Sequence, residues 1–371
     1  MKFTCDRSTL VETLAILARG VSSRSTLPVL SGILLEATEE GRLDMYATDM
    51  ELSIKASLEA EVERTGELVV PARLFSDVVR NLAEELIDLE GSETTLRVRS
   101  GNAGFTLNAW TASDFPQTAV FSLEGALGVA KEPLIETLSK VGRAASRDET
   151  RPILTGVLMS IVGDTLRMVA TDSYRLAVCD APLERALAED VHAIVPVRAL
   201  TEVSRLVSSS GSPEIDIVVS ENQILFHMNR RAGDVWVASR LIDGQFPSYK
   251  QLIPDSFDHE VEISKADFIS AARRVSLLAQ KSAPLRLTFT TGRLSMRAVT
   301  QDVGQAEETL DVDFTGESFE IGFSPAYLID GIDAVDEDRV RMRFTNPLRP
   351  GLIRSKHDDF QYLIMPIRLS N

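Results

Sequence analysis

Arg73 and Arg80 stand seven residues apart, and Arg198 and Arg205 repeat that pair 125 positions later. On a helix, a spacing of seven returns a side chain to the same face. Each pair would therefore present two guanidinium groups together, an arrangement suited to a row of phosphates and blind to base sequence. Lys140, Arg143 and Arg147 form a comparable stripe. A solvated helix face is the competing reading of any single arginine, and the repeated pair leaves the two readings open. Asp49 and Asp172, each preceded by Thr, are the most suggestive acid pair. Repeat-related aspartates form the dyad of aspartic proteases, where two carboxylates share a proton. The Asp-Thr/Ser-Gly turn of those enzymes is absent, and Thr-Asp at a strand end more simply closes a turn through its side chains. An enzyme is the weaker reading.

Other catalytic signatures are missing: the sequence contains no GxGxxG, Walker A, HExxH or GxSxG. His192, His227, His259 and His357 are far apart and lack metal-ligand spacing, so no metal and no cofactor is expected. Cys5 and Cys179 form no CxxC, which leaves two free thiols fitting a reducing cytoplasm. The N-terminus meets charge before any signal-peptide core, and no apolar run approaches the ~18 residues of a membrane span. A soluble cytoplasmic protein without a membrane partner is expected. Hydrophobic residues at 44% and charged residues at 25% describe a globular chain, and 371 residues suggest two to three domains.

The elements that must carry these side chains come three times. Leu43-Asp44-Met45-Tyr46-Ala47-Thr48-Asp49 returns as Leu166-Arg167-Met168-Val169-Ala170-Thr171-Asp172, and Leu294-Ser295-Met296-Arg297-Ala298-Val299-Thr300 echoes both. Val70-Pro71-Ala72-Arg73-Leu74, Val195-Pro196-Val197-Arg198-Ala199-Leu200 and Phe323-Ser324-Pro325-Ala326-Tyr327-Leu328 make a second set at spacings of 125 and 128. Each repeat opens with a helix, over Arg7 to Arg19, Glu132 to Arg143 and Lys265 to Ala279, the first with Leu10, Leu14, Leu17 and Ala18 on one face. Alternating strands follow. A second helix starts after the Val-Pro or Ser-Pro step, carrying Leu74, Val78, Val79 and Leu82 in repeat one. The expected fold is α+β: three copies of one domain, each with two helices packed on antiparallel sheet, bounded at 1–121, 122–253 and 254–371.

Formal charge is −16 and the pI 4.8, which argues against a generic nucleic-acid coat protein. The arrangement matters more than the total. The six helices with their adjoining loops hold 16 Lys or Arg against 10 Asp or Glu, about +6, leaving about −22 elsewhere. Positive helices inside acidic sheets would steer DNA to the helical face without sequence preference.

These passages closely resemble the bacterial sliding clamp family, the β subunit of DNA polymerase III. The resemblance covers essentially the whole chain. Its markers are Thr26-Leu27-Pro28-Val29-Leu30, Val70-Pro71-Ala72-Arg73, Val98-Arg99-Ser100-Gly101, Ala170-Thr171-Asp172-Ser173-Tyr174-Arg175-Leu176-Ala177-Val178, Asp243-Gly244-Gln245-Phe246-Pro247-Ser248-Tyr249 and Leu363-Ile364-Met365-Pro366-Ile367-Arg368-Leu369. The family implies a non-catalytic, head-to-tail homodimer of three-domain chains, closed as a ring around double-stranded DNA. It implies as partners the polymerase III catalytic subunit, an ATP-driven clamp loader, and other polymerases and repair proteins with clamp-binding peptides.

By that resemblance Arg24 is a DNA contact, and Arg147 and Arg151 compensate for Asp148 in the matching loop of repeat two; the positive helices add Arg73, Arg80, Lys140, Arg143, Arg198, Arg205 and Arg274 as expected DNA contacts. The partner pocket maps onto Leu154, Thr171, Ser173, Tyr174, Arg175, Leu176, Pro247, Pro350, Leu363, Ile364, Met365, Pro366 and Ile367. Tyr174 stands where the family commonly has His. At the subunit interface Phe105 and Leu107 would meet Leu277 and Leu278, framed by Glu307 and Glu308. Two basic positions familiar in that first-domain strand are Asn102 and Gly104 here.

Overall fold

Alternating apolar residues become strands with one buried and one open face; Leu52–Glu59 alternates buried and partly exposed positions along its length. The structure is a computed structural model. It describes the chain apart from residues 23–25, 118, 187–189, 209–210, 280–282, 358 and 370–371. The chain divides into two compact units, Met1–Ile135 with Arg198–Leu241, and Glu136–Val197 with Ile242–Asn371. Six α-helices are assigned among the described residues: α1 (Arg7–Leu17), α2 (Ala72–Arg80), α3 (Lys131–Val141), α4 (Val197–Ser208), α5 (Lys265–Ser276) and α6 (Pro325–Asp333).

In the first unit, α1 packs on α2. A five-stranded antiparallel sheet runs Glu61–Arg64, Lys2–Asp6, Leu86–Gly91, Thr95–Ser100, Ala103–Asn108. An eight-stranded sheet runs Leu127–Ala130, Glu214–Val219, Gln223–Met228, Val235–Arg240, Leu52–Glu59, Arg42–Thr48, Gly32–Ala37, Gly66–Pro71. Its first four strands belong to repeat two and its last four to repeat one.

The second unit follows the same plan, with α5 packed on α6. Its eight-stranded sheet runs Val191–Pro196, Gly156–Val162, Thr165–Thr171, Arg175–Pro182, Phe360–Ile364, Gly351–Arg354, Arg339–Phe344, His259–Ser264. Here four strands of repeat two meet four of repeat three. A four-stranded sheet runs Gly304–Asp311, Arg293–Thr300, Leu285–Thr290, Phe319–Phe323. Phe289, Phe314, Phe319 and Phe344 stack and tilt against one another beneath it, with centroids 4.9 to 5.9 Å apart.

The join between repeats is the same in both units. The last strand of repeat two, Val235–Arg240, lies antiparallel to Leu52–Glu59 of repeat one, with Val237 opposite Ile54. The last strand of repeat three, Phe360–Ile364, lies antiparallel to Arg175–Pro182 of repeat two, with Tyr362 opposite Ala177.

Three sequence expectations need correction. The first helix of each repeat ends two or three residues early, at Leu17, Val141 and Ser276, because Gly20, Gly142 and the turn at Leu277 stop it. Ala18 lies past the end of α1 and is exposed. Leu74 is half exposed, since the buried face of α2 is Ala72, Phe75 and Val79 at intervals of three and four.

Candidate DNA-binding and partner-binding surfaces

The arginine pairs sit on α2 and α4, whose apolar stripes turn inward, so Arg73, Arg80, Arg198 and Arg205 are exposed. Most of the basic candidates meet carboxylates. Arg198 Nη2 lies 2.5 Å from Asp49 Oδ2. Arg205 and Arg19 share Glu202 at 2.7 and 2.8 Å, and Arg80 stands 4.0 Å from Asp77. Arg151 pairs with Asp148 at 3.0 Å and donates to Ser173 Oγ at 3.1 Å. Arg274 grips both carboxylate oxygens of Glu308. Among the described residues Arg73 and Arg147 have no ion pair. Arg24 lies outside the described residues. Exposed pairs of this type contribute only about 0–1 kcal/mol, so these guanidinium groups can exchange a carboxylate for a phosphate.

Lys140 is the exception in the stripe. It is 8% exposed and bonded to Asp336, and although burial opposes its charge, that bond holds its pKa above the ordinary lysine value. Its charge is satisfied within the fold. Beside it, Arg143 Nη1 donates to Asp333 Oδ2 at 2.7 Å, a bond that holds the Asp333 carboxyl below the usual range. Asp333 occupies in α6 the position of Arg80 in α2 and Arg205 in α4, so the departure of repeat three from the arginine pattern neutralises a cation of repeat two.

Asp49 and Asp172 close matching turns. Asp49 Oδ1 accepts from the backbone N–H groups of Glu51 and Leu52 at 3.1 and 2.8 Å; Asp172 Oδ1 accepts from Tyr174 and Arg175 at 2.9 and 3.0 Å. Thr48 and Thr171 hydroxyls accept from the N–H groups of Met50 and Ser173, and both those residues have φ of +79°. A left-handed non-glycine residue is costly, and here the same two side chains hold it in both repeats. These acids serve turns. No group of three or more His, Cys, Asp or Glu among the described residues could hold a metal ion. Burial pushes the thiols of Cys5 and Cys179 up to about 12 and about 11, consistent with core residues.

The pocket candidates gather in the second unit. Leu176 lies opposite Leu363, and Leu363 opposite Leu352, across three adjacent strands. These three, with Val169, Val178 and Tyr249, form a buried cluster against which Leu158 and Phe246 pack. A cleft of about 320 Å³ opens beside it, lined by Leu158, Phe246, Pro247 and Tyr249 among others. Leu154 is buried in the short 3-10 turn before strand Gly156–Val162, while Ile364 is 1% exposed. Just beyond strand Phe360–Ile364, Met365 N–H donates to Tyr174 O at 2.8 Å and Ile367 N–H to Gly322 O at 2.8 Å. Tyr174, Met365 and Ile367 are the large side chains left open, at 60%, 44% and 37% exposure. Gly351 opposite Ile364 sets Pro350 at the same end of the sheet as Met365 and Pro366. Leu252 and Leu348, at 51% and 70% exposure, are further open apolar residues that strand periodicity could not reveal, because both lie in turns.

Arg175 is engaged rather than open. Its guanidinium contacts Asp172 at 3.1 Å, Asp330 at 2.6 Å and the Tyr362 hydroxyl at 3.3 Å, and it stacks 4.2 Å over the Tyr327 ring. Burial opposes its charge, but Tyr362 and the two acids more than compensate and raise its pKa. Sequence reasoning missed Tyr327, Asp330 and Tyr362, which stand 152 to 187 positions away. Arg175→Ala removes one partner of a buried pair, so it should destabilise the chain by about 3 kcal/mol, read as a lower denaturant midpoint.

Strand Ala103–Asn108 ends one sheet of the first unit, and strand Gly304–Asp311 ends one sheet of the second. On the former, Leu107 is buried and Phe105 is 42% exposed. Behind the latter, Leu277 is 83% exposed, and Leu278 O accepts from Thr300 Oγ1 at 2.6 Å. Glu308 is held ionised by Arg274, and Glu307 accepts from Ser295 Oγ at 2.8 Å.

The fold is thus an α+β arrangement of three related domains, the architecture of a DNA clamp. Models of the DNA polymerase III beta subunit match it in succession: the N-terminal domain over residues 1–119, the central domain over 128–248 and the C-terminal domain over 250–368. The chain is 33% identical to the beta sliding clamp of Streptomyces coelicolor over 100% of both chains, and 32% identical to that of Bacillus subtilis over 99% of this chain and 100% of the relative. It superposes on the crystal structure of the Bacillus subtilis clamp with a TM-score of 0.94 at 30% identity, and on a Pseudomonas aeruginosa clamp bound to griselimycin with 0.92 at 30%, each over 100% of both chains. The chain belongs to the DNA polymerase III beta subunit family, the bacterial sliding clamps, and its function is that of a DNA sliding clamp.

Proposed function

We propose that two of these chains join head to tail into a ring around double-stranded DNA, and that the cleft beside Leu176 and Leu363 receives peptides of the polymerase and other partners. The join between repeats carries this reading. In each unit the last strand of one repeat pairs with a middle strand of the repeat before it. One last strand, Ala103–Asn108 of repeat one, and one middle strand, Gly304–Asp311 of repeat three, are left as sheet ends. The same rule, applied between chains, pairs them and closes a cycle.

Register follows from the repeats. Ala47, Ala170 and Ala298 lie opposite Ile54, Ala177 and Ala306, which makes those three positions equivalent. The turn bond Ser92 N–H to Thr95 O matches Ser220 N–H to Gln223 O, so Phe105 corresponds to Val237. Val237 faces Ile54; Phe105 should then face Ala306 of the second chain, and Leu107 should face Gly304. A Cβ on Gly304 would lie 3.9 Å from Leu278 Cδ1, so its absence leaves room for Leu107 against Leu278. This register supports an apolar contact of Phe105 and Leu107 with the neighbourhood of Leu277 and Leu278.

The domains are 1–121, 122–253 and 254–371, in keeping with the three family matches. The clamp acts without catalysis and without a cofactor, in the cytoplasm, and is opened by a loader. No helix among the described residues is long and apolar enough to cross a membrane. Retention separates this reading from a DNA-binding protein that does not encircle its substrate. Loaded clamp should stay on nicked circular plasmid through gel filtration and be lost when the plasmid is cut; equal retention on both forms would overturn it.

The arginines supply a transient phosphate track. Reversing Arg73, Arg80, Arg198 and Arg205 to Glu should sharply reduce loading at low salt while leaving dimerisation nearly unchanged. The log-affinity against log-salt slope should flatten by roughly 0.9 per lost contact. An unchanged slope returns these residues to a solvated face.

A further inference from the structure

On the face of strand Ala103–Asn108 that carries Gly104, Thr106 and Asn108, the sheet end has a gap. Gly104 has no side chain, and a Cβ built there would meet nothing within 4 Å. One strand further in, Arg99 lies opposite Gly104 and Arg97 opposite Thr106. Both arginines are exposed. On their inner side Arg99 faces Asp88 and Arg97 faces Glu90, yet these acids are engaged elsewhere. Asp88 Oδ1 accepts from Thr4 Oγ1 at 2.7 Å, and Glu90 stands 3.5 Å from Arg64. Among the described residues neither Arg97 nor Arg99 has an ion pair.

Glu307 holds the matching place on strand Gly304–Asp311. It is exposed and accepts from Ser295 Oγ at 2.8 Å. Arg297 lies opposite Glu307 but donates to Gln305 Oε1 at 2.8 Å instead, so the Glu307 carboxylate also has no ion pair among the described residues. With Phe105 facing Ala306 of the second chain, Gly104 faces Glu307 of the second chain. One row across the outer face then reads Asp88, Arg99, Gly104 and, on the second chain, Glu307 and Arg297.

We propose that Arg99 reaches across Gly104 to the Glu307 carboxylate of the second chain and fixes the register of the two sheets. This rests on the ring reading. Two strand spacings put the Cα atoms of Arg99 and Glu307 roughly 10 Å apart, within the combined length of an arginine and a glutamate side chain. A slip of two residues would keep every side chain on its own face, so the apolar pattern alone resists it weakly. Such a slip would set Gly104, and Arg99 behind it, opposite Gln305 or Thr309, which carry no charge. The missing side chain at 104 is what lets a cation one strand inside the edge choose its partner.

Sedimentation equilibrium of the full chain at low and high salt tests this. An exposed ion pair is worth up to about fivefold in affinity, and opening the ring breaks two interfaces, so Arg99→Gln and Glu307→Gln should each weaken the dimer by roughly three- to twentyfold. The loss should shrink at high salt. Arg99→Gln with Glu307→Gln should weaken it no further than either alone. Arg99→Glu should weaken it more, and adding Glu307→Arg should recover most of that loss. Arg97→Gln, behind the Thr106 side chain, should have much less effect. Additive losses, no recovery in the charge swap, or equal coupling of Glu307 to Arg97 would overturn the proposal. Leu277→Ala with Leu278→Ala separates the two ways to fail. If that variant dissociates while Arg99→Gln stays as tight as wild type, the ring stands and the ion pair falls; if neither dissociates, the interface lies elsewhere and the pair falls with it.

Discussion

Thr106→Pro should convert the dimer to folded monomers at micromolar concentration. Ala109 N–H donates to Thr94 O, which fixes the alternation along strand Ala103–Asn108. Phe105 and Leu107 then direct their backbone groups inward to strand Thr95–Ser100, whereas Gly104, Thr106 and Asn108 direct theirs outward. The equivalent outward residue of repeat two, Arg240, donates to Glu51 O across the join at 3.0 Å. Proline at 106 removes one outward donor and disturbs no bond within the chain, the setting in which an edge strand accepts it. The carbonyl of Gln305 on the second chain loses its partner, a cost of about 1–3 kcal/mol, or roughly ten- to hundredfold in dimer affinity. Leu277→Ala with Leu278→Ala should act in the same direction by removing apolar burial, about 1.5–3 kcal/mol for a Leu side chain. Sedimentation velocity reads both; a dimer as tight as wild type in either variant places the interface elsewhere.

The second large effect is expected at the peptide cleft. Leu176 and Leu363 are 3% and 4% exposed in the buried cluster beside it, so truncating either tests the core, at about 2–5 kcal/mol of stability. A peptide can reach the exposed Tyr174 and Met365, whose backbones are already joined. Met365 is a flexible filler and Tyr174 a broad ring with a polar tip. Met365→Ala with Tyr174→Ala should weaken a glutamine-containing clamp-binding peptide at least tenfold by fluorescence anisotropy, about 1.4 kcal/mol per factor of ten. The fold and the loaded ring should persist. Wild-type affinity in the folded double mutant would remove the pocket from this surface.

Much of the fold was legible because repetition makes its own register marks. Met45, Met168 and Met296 lie opposite Ala56, Cys179 and Glu308, and the Thr-Asp steps became the same turn twice. Helix ends and faces were less legible: spacing of four favoured Leu74, while packing chose Phe75. The charge network was hidden for a different reason. Arg198 with Asp49, Lys140 with Asp336 and Arg175 with Asp330 join positions 149 to 196 residues apart, and no local pattern records such distances. A stripe of arginines reads as free charge in the sequence, although the folded chain supplies most of them with an acid.

The repeated strand join has a consequence for how such a ring opens. Two of its kinds of seam lie within one chain, where covalent connection keeps the facing strands at an effective concentration near the millimolar range. The third joins separate chains and is governed by how many chains are present. Built on one plan, the seams differ in the entropy of meeting, so the one between chains is the gate. A tandem fusion linking one such pair of strands would turn that gate into a hinge and leave its counterpart as the only exit for DNA.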